Sequence, residues 1–137
     1  MERTFAIIKP DAVGRGLAGD IIKRIETSGL KIRGLRLTHL SRAQAERFYE
    51  VYKARPFYND LCTYMTSGPV ILMVLEGDKA ITRWREEMGA TDPKKAAAGT
   101  IRSDFGENIE RNAVHGSDAP ETAAQEIPFF FSSLDLV

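Results

Sequence analysis

Apolar positions along the chain switch between two spacings, and each switch marks a change of element. Thr4-Phe5-Ala6-Ile7-Ile8 is a short apolar, partly β-branched run stopped by Pro10 and Gly14, which predicts a buried strand with Lys9 where it opens into a loop. Leu17, Ile21, Ile22 and Ile25 then recur at helical spacing with Gly29 placed to cap the end, so a helix is predicted over roughly residues 17 to 28. A second strand follows, from about Leu30 to Leu40. Its apolar parity changes across Gly34, from Leu30 and Ile32 to Leu35 and Leu37, which predicts a bulge. His39 shares a face with Leu35 and Leu37 and reads as structural.

Ser41 followed by Gln44 is a capping-box signature, and Ala45, Phe48, Tyr49 and Tyr52 continue it at i, i+3, i+4 and i+7. After Pro56 a short helix with Leu61, Cys62 and Met65 inward ends at Gly68-Pro69. Val70 to Leu75 is apolar at every position, which predicts a third strand covered on both faces. Asp78 is placed to cap a helix that buries Ala80, Ile81, Trp84 and Met88 and closes at Gly89. Regular structure is poorly signalled from Gly89 to Arg111, and a loop of that length in a compact fold is usually functional or part of an interface. Residues 112–115 read as a fourth strand, Asp118 with Glu121 as the start of a final short helix, and Pro128 as a turn into an apolar tail.

The element order predicts an α+β fold, a ferredoxin-like sandwich with a four-stranded, mainly antiparallel sheet covered by helices, in one domain over residues 1–137. Nineteen basic and nineteen acidic side chains cancel without a long block of either sign, which argues against attraction to nucleic acid in bulk or to an anionic membrane. Cys62 is the only cysteine, the N-terminus lacks the regions of a secretion signal, and no apolar run is long enough to span a bilayer. A soluble, cytoplasmic protein is expected.

Chemistry concentrates in Asn112 to Asp118, N-A-V-H-G-S-D, where one of the two histidines stands among turn formers and small residues. Free imidazole titrates at about 6.5, so much of it is neutral at cellular pH and able to attack phosphorus without a separate base. His115 is therefore a candidate nucleophile, beside the alternative that it is a structural or surface residue. Besides Lys9, the residues Arg85, Thr91 and Arg102 each lie within a turn or so of a helix end or a glycine; together these side chains could balance a polyphosphate, or as individuals face water. Arg85 borders the buried face of its helix. Phe57 is either core or a ring for a base to stack on, and the Tyr49 hydroxyl is either a solvent-facing tip or a phosphate donor. A Walker-type phosphate loop, a dinucleotide fingerprint and a cysteine–histidine metal cluster are all absent.

The heptad, the opening E-R-T-F-A-I-I-K-P-D-A-V, the A-R-P-F-Y segment and G-T-I-R-S-D-F together resemble the nucleoside diphosphate kinases, in order and in register from Glu2 to about Phe131. The resemblance implies ping-pong transfer of the terminal phosphate of a nucleoside triphosphate, mainly ATP, to a nucleoside diphosphate through phosphorylated His115. It further implies that Lys9 contacts ribose and terminal phosphate, that Tyr49 lies beside that phosphate, and that Phe57 lies under the base. Arg85, Thr91 and Arg102 would hold the phosphates and Asn112 the sugar. Ser117 and Glu126 would stand behind the histidine, the carboxylate accepting one ring N–H and leaving the opposite nitrogen as nucleophile. Mg²⁺ is expected as cofactor, carried by the nucleotide phosphates with no protein metal site. Ala98 departs from the proline common in the family before Gly-Thr, in a loop that packs between subunits of hexameric members, and longer members add C-terminal contacts. Tetramer and hexamer are both open. The rival readings are a phosphohistidine carrier that relays phosphate to a protein, and a binding module on a ferredoxin-like sheet.

Overall fold

A computed structural model describes residues 1–137. Four strands, β1 (Glu2–Ile8), β2 (Lys31–Thr38), β3 (Val70–Gly77) and β4 (Val114–Gly116), form one sheet in the order β2-β3-β1-β4. Every neighbouring pair is antiparallel. Helices α1 (Pro10–Gly14) and α2 (Ala18–Thr27) connect β1 to β2, α3 (Arg42–Phe48) and α4 (Tyr58–Met65) connect β2 to β3, and α5 (Ala80–Met88) and α6 (Ile101–Phe105) connect β3 to β4. Helix α7 (Pro120–Phe130) follows β4. This is the ferredoxin-like α+β sandwich predicted from the element order.

Strand alternation sorts the core onto two faces. Ala6, Ile8, Ile71, Met73 and Leu75 pack with Ile21, Ile25 and Trp84 on one side, while Phe5, Ile7, Val70, Leu72 and Val74 pack with Ala45, Cys62, Met65 and Phe130 on the other. Both central strands are therefore buried on both faces, as their continuous apolar runs required. The bulge expected at Gly34 is present as a register shift between Ile32 and Gly34. Beyond it, Leu35 and Leu37 on the edge strand are 49% and 62% exposed, and His39, also exposed, lies with Nε2 2.7 Å from the Thr66 carbonyl.

Several local expectations are corrected. Lys9 opens into α1, with Pro10 at its first turn, and not into a loop. Asp78 does not cap α5: Lys79 holds that place at φ +51°, and the free Ile81 N–H is taken by the Glu2 carboxylate, 2.9 Å away across the fold. The segment after Gly89 contains α6, whose start is capped by the Thr100 hydroxyl accepting from Ser103 N–H. Asp118 does not open α7; the Thr122 hydroxyl accepts the backbone N–H groups of Asp118 and Ala119 instead. Finally, α7 continues through Pro128 to Phe130, because burying Phe130 in a stack on Phe5, centroids 5.6 Å apart, outweighs the hydrogen bond the proline lacks.

Candidate active site

His115 owes its direction to β4, which pairs with β1 so that Ile7 lies opposite it. Val114 turns into the core around Trp84, and alternation sends the imidazole to the other face, where it lies edge-on to Phe48 at 5.8 Å and Phe5 at 6.2 Å. Trp84 Nε1–H donates to the His115 carbonyl at 3.2 Å. Gly116 permits that approach, since a Cβ there would meet Trp84 and Met88 at 2.6 Å. The ring is thus held from its backbone side.

Its Nε2 lies 3.1 Å from Glu126 Oε1 on α7, and the Ser117 hydroxyl donates to the same oxygen at 2.8 Å. Ser117 is itself tied to β1 by the Phe5 N–H at 3.3 Å. A carboxylate only accepts, so the ring proton belongs on Nε2 and the lone pair on Nδ1. The side chain is 22% exposed. It is accessible, and it is aimed.

An open cleft of about 1120 Å³ lies in front of the ring, and Lys9, Tyr49, Phe57, Arg85, Thr91, Arg102, Asn112 and His115 all line it. Ser117 and Glu126 do not line it, and stand behind the imidazole. The structure therefore brings together residues spread from position 9 to position 126.

The buried end of the cleft is cationic at a cost. Lys9 Nζ donates to Asn112 Oδ1 at 2.8 Å, and Asn112 Nδ2 donates to the Thr91 carbonyl at 3.0 Å. Burial, and then the neighbouring Arg102, lower the Lys9 pKa to about 8, with Asp11 partly opposing them. Arg102 donates from Nη1 to the Gly89 carbonyl at 3.0 Å and from Nη2 to the Val114 carbonyl at 2.9 Å. Its Nε is buried with no partner, and burial followed by Arg85 brings its pKa down to about 10, with Asp118 opposing. At neutral pH both side chains remain cations.

The outer end is looser. Arg85 Nη1 reaches Asp118 Oδ1 at 2.8 Å between two well-exposed side chains, and Thr91 is exposed on the rim. Phe57 stands at the start of α4 with its ring 5.4 Å from Tyr52, partly open to solvent. Tyr49 departs most from a solvent-facing tip: its ring is buried against Phe48, and burial, then Glu126, raise the phenol pKa so that it stays protonated. No group of three or more His, Cys, Asp or Glu side chains is placed to hold a metal ion. No helix is long and apolar enough to cross a membrane.

Two partners escaped the sequence reading. Trp84 was legible as a buried helical position but not as the donor to the His115 backbone, and Asp118 read as a helix start is the partner of Arg85. Their contacts span about thirty residues each, and no local spacing encodes them.

Comparison with known proteins places this geometry among relatives. The family model described as nucleoside diphosphate kinase matches residues 2–136. A nucleoside diphosphate kinase of Geotalea daltonii is 62% identical over 137 residues, all of both chains. The Aquifex aeolicus nucleoside diphosphate kinase superposes with a TM-score of 0.97 at 44% identity, over 99% of each chain. A halophilic enzyme from Halobacterium salinarum, solved in complex with CDP, gives a TM-score of 0.95 at 44% identity, over 99% of this chain and 91% of its own.

Proposed function

Because the chain belongs to the nucleoside diphosphate kinase family, and so is a phosphotransferase acting on nucleotides, we propose that His115 is the residue that carries the phosphoryl group between substrates. The supporting observation is the imidazole itself, backed through Nε2 by Glu126 and open through Nδ1 to a cleft lined by Lys9, Arg85 and Arg102. The Nδ1 lone pair attacks the terminal phosphorus of a nucleoside triphosphate, mainly ATP. An N–P bond forms as the bridging P–O bond breaks, and its electron pair leaves on the nucleoside diphosphate. A second nucleoside diphosphate enters the same cleft, its terminal oxygen attacks phosphorus, and the imidazole is regenerated.

The remaining side chains act by position and charge. Glu126, oriented by Ser117, holds the imidazole tautomer and balances charge as the ring gains a substituent. Lys9, with Asn112, meets the sugar hydroxyls and terminal phosphate, and the Tyr49 hydroxyl donates beside that phosphate. Arg85, Thr91 and Arg102 clamp the phosphate chain. Phe57 offers a stacking face without hydrogen bonds to base edges, which accounts for acceptance of different bases. Mg²⁺ would arrive on the nucleotide phosphates and neutralise charge there, which calls for no carboxylate cage on the protein.

Residues 1–137 act as one unit, working in the cytoplasm. The exposed Leu35 and Leu37 on a sheet edge favour self-association, to a tetramer or hexamer that sedimentation distinguishes. Terminally labelled ATP tests the reaction: the protein should take up acid-labile label on residue 115 and pass it to added GDP. A carrier would label without yielding GTP. His115→Ala should bind nucleotide and transfer nothing, and unchanged turnover in that variant would refute the assignment.

A further inference from the structure

Two residues before the nucleophile, the backbone makes an unfavourable turn. Val114 N–H donates to the Asn112 carbonyl at 2.9 Å, an i to i+2 bond, across Ala113 at φ +74°. That is a γ-turn of the rare hand, which an L residue with a Cβ adopts only when its surroundings impose it. Ala113 is fully buried, so water cannot relieve it.

What imposes the turn comes largely from α1. Lys9 N–H donates to the Ala113 carbonyl at 2.8 Å, and the Ala113 N–H is taken by Asp11 Oδ2 at 3.2 Å. Asp11 is a buried carboxylate that none of the proposed catalytic steps uses. Its other oxygen accepts the Tyr64 hydroxyl, which in turn accepts the Asp11 N–H at 3.3 Å, and Arg15 Nη2 lies 3.6 Å from Oδ2. Burial and the bond to Asp11 raise the Tyr64 pKa, so the phenol stays a donor. The Arg111 guanidinium covers the same ring at 5.2 Å. Both oxygens of the carboxylate are thereby fixed, one by a side chain of α4 and the other by the strained turn.

The geometry points to Asp11, locked by Tyr64, as a positioning residue that holds the γ-turn at Ala113 and through it aims the His115 imidazole at phosphorus. The inference rests on His115 being the nucleophile. Without an acceptor at position 11, Ala113 can relax to negative φ; a backbone rotation at that point swings β4, and the ring with it. A displacement of about an ångström at the attacking atom costs on the order of 10²-fold in rate. Nucleotide binding, which depends on the cleft walls, should change far less.

Glycine at 113 separates this role from general support of the fold, because glycine adopts positive φ without steric cost. Single-turnover phosphorylation of His115 from labelled ATP is measured by rapid quench, and nucleotide affinity by calorimetry. Asp11→Ala should slow phosphorylation on the order of 10²-fold and leave the dissociation constant within about two-fold. Adding Ala113→Gly to Asp11→Ala should then restore at least about ten-fold of the rate. If Asp11→Ala does not fold, Asp11→Leu replaces it, since leucine fills the buried space and offers no acceptor to the Ala113 N–H. An Asp11 variant as fast as the parent, or a glycine double variant no faster than the single one, overturns the inference. Failure of the underlying reading looks different: the unsubstituted protein would itself carry no phosphate on residue 115.

Discussion

Arg102 and Arg85 line the same cleft with the same side chain, yet the fold treats them oppositely. Arg102 is 8% exposed, its guanidinium anchored to the carbonyls of Gly89 and Val114, with the burial cost visible in a lowered pKa. Arg85 is 51% exposed and held only by Asp118, itself 73% exposed. One cation is built into the backbone at the turn that leads to His115; the other stands on a solvent-facing pair worth about 1 kcal/mol or less. The buried end of the site is therefore rigid before any nucleotide arrives, and the rim can adjust to it. Preorganised charge stabilises a transition state without reorganisation, whereas an adjustable rim admits several substrates.

The contrast breaks most visibly on replacing both arginines in turn. If both clamp the transferring phosphate as proposed, either change to alanine should cost on the order of 3 kcal/mol of kcat/KM. Only Arg102→Ala should also lower stability, by about 1–3 kcal/mol: two buried carbonyls losing their donor cost about 1–3 kcal/mol each and the truncation leaves a cavity, which together outweigh the burial penalty that the substitution removes. Arg85→Ala should melt within about 0.5 kcal/mol of the parent. Steady-state kinetics beside denaturant unfolding read both quantities, and equal destabilisation by the two variants would erase the distinction.

The same division explains what was legible in the chain. Core strands, the Ser41–Gln44 cap and the faces of α2 and α5 announce themselves, because periodicity and capping are local and the fold obeys them. The accessibility of the His115 ring is legible for a similar reason: small residues and turn formers on either side of an imidazole leave it open. Helix α6 was missed because five residues are too few to show a period. Glu2 capping α5, Asp11 holding Ala113 and Asp118 answering Arg85 were missed because each joins positions far apart in sequence. In the first and third cases an acidic residue next to the helix, Asp78 or Asp118, offered a plausible local role. At Asp78 the distant Glu2 carboxylate wins, since an αL residue at position 79 turns the chain away from the Asp78 side chain's capping geometry.

Lys9 gives the next largest effect, with opposite signs for stability and activity. Its folded pKa of about 8 lies below the 10.5 of an exposed lysine. Between those two values the unfolded chain binds the extra proton, so stability rises with pH across that window, and below about pH 8 the full penalty is present. At about 1.4 kcal/mol per unit, the penalty is up to about 3 kcal/mol. Lys9→Met removes it but leaves Asn112 Oδ1 without its donor, returning about 1 kcal/mol. The variant should thus be more stable at pH 7 by about 1–2 kcal/mol and lose that advantage by about pH 10. Its transfer activity should collapse. In the parent, kcat/KM should fall above about pH 8, and Lys9→Arg should flatten that limb. A methionine variant less stable than the parent at pH 7 would show that the fold does not pay for this charge.

The smallest effect belongs to the rim, at Asp118. Its carboxylate is the one partner of Arg85, so on the proposed role a nucleotide phosphate competes with it for the guanidinium. Asp118→Asn weakens that competitor and removes one negative charge from the cleft wall. Affinity for a nucleoside diphosphate should rise by a factor of a few at low salt, corresponding to less than about 1 kcal/mol. Both charges are exposed and therefore screened, so the gain should shrink toward nothing in about 0.5 M salt. The affinity lost on Arg102→Ala should by contrast depend little on salt, since the cation it removes is out of reach of mobile ions. Salt dependence of equal slope at both ends of the cleft would mean that burial does not separate the two arginines in the way their hydrogen bonds imply.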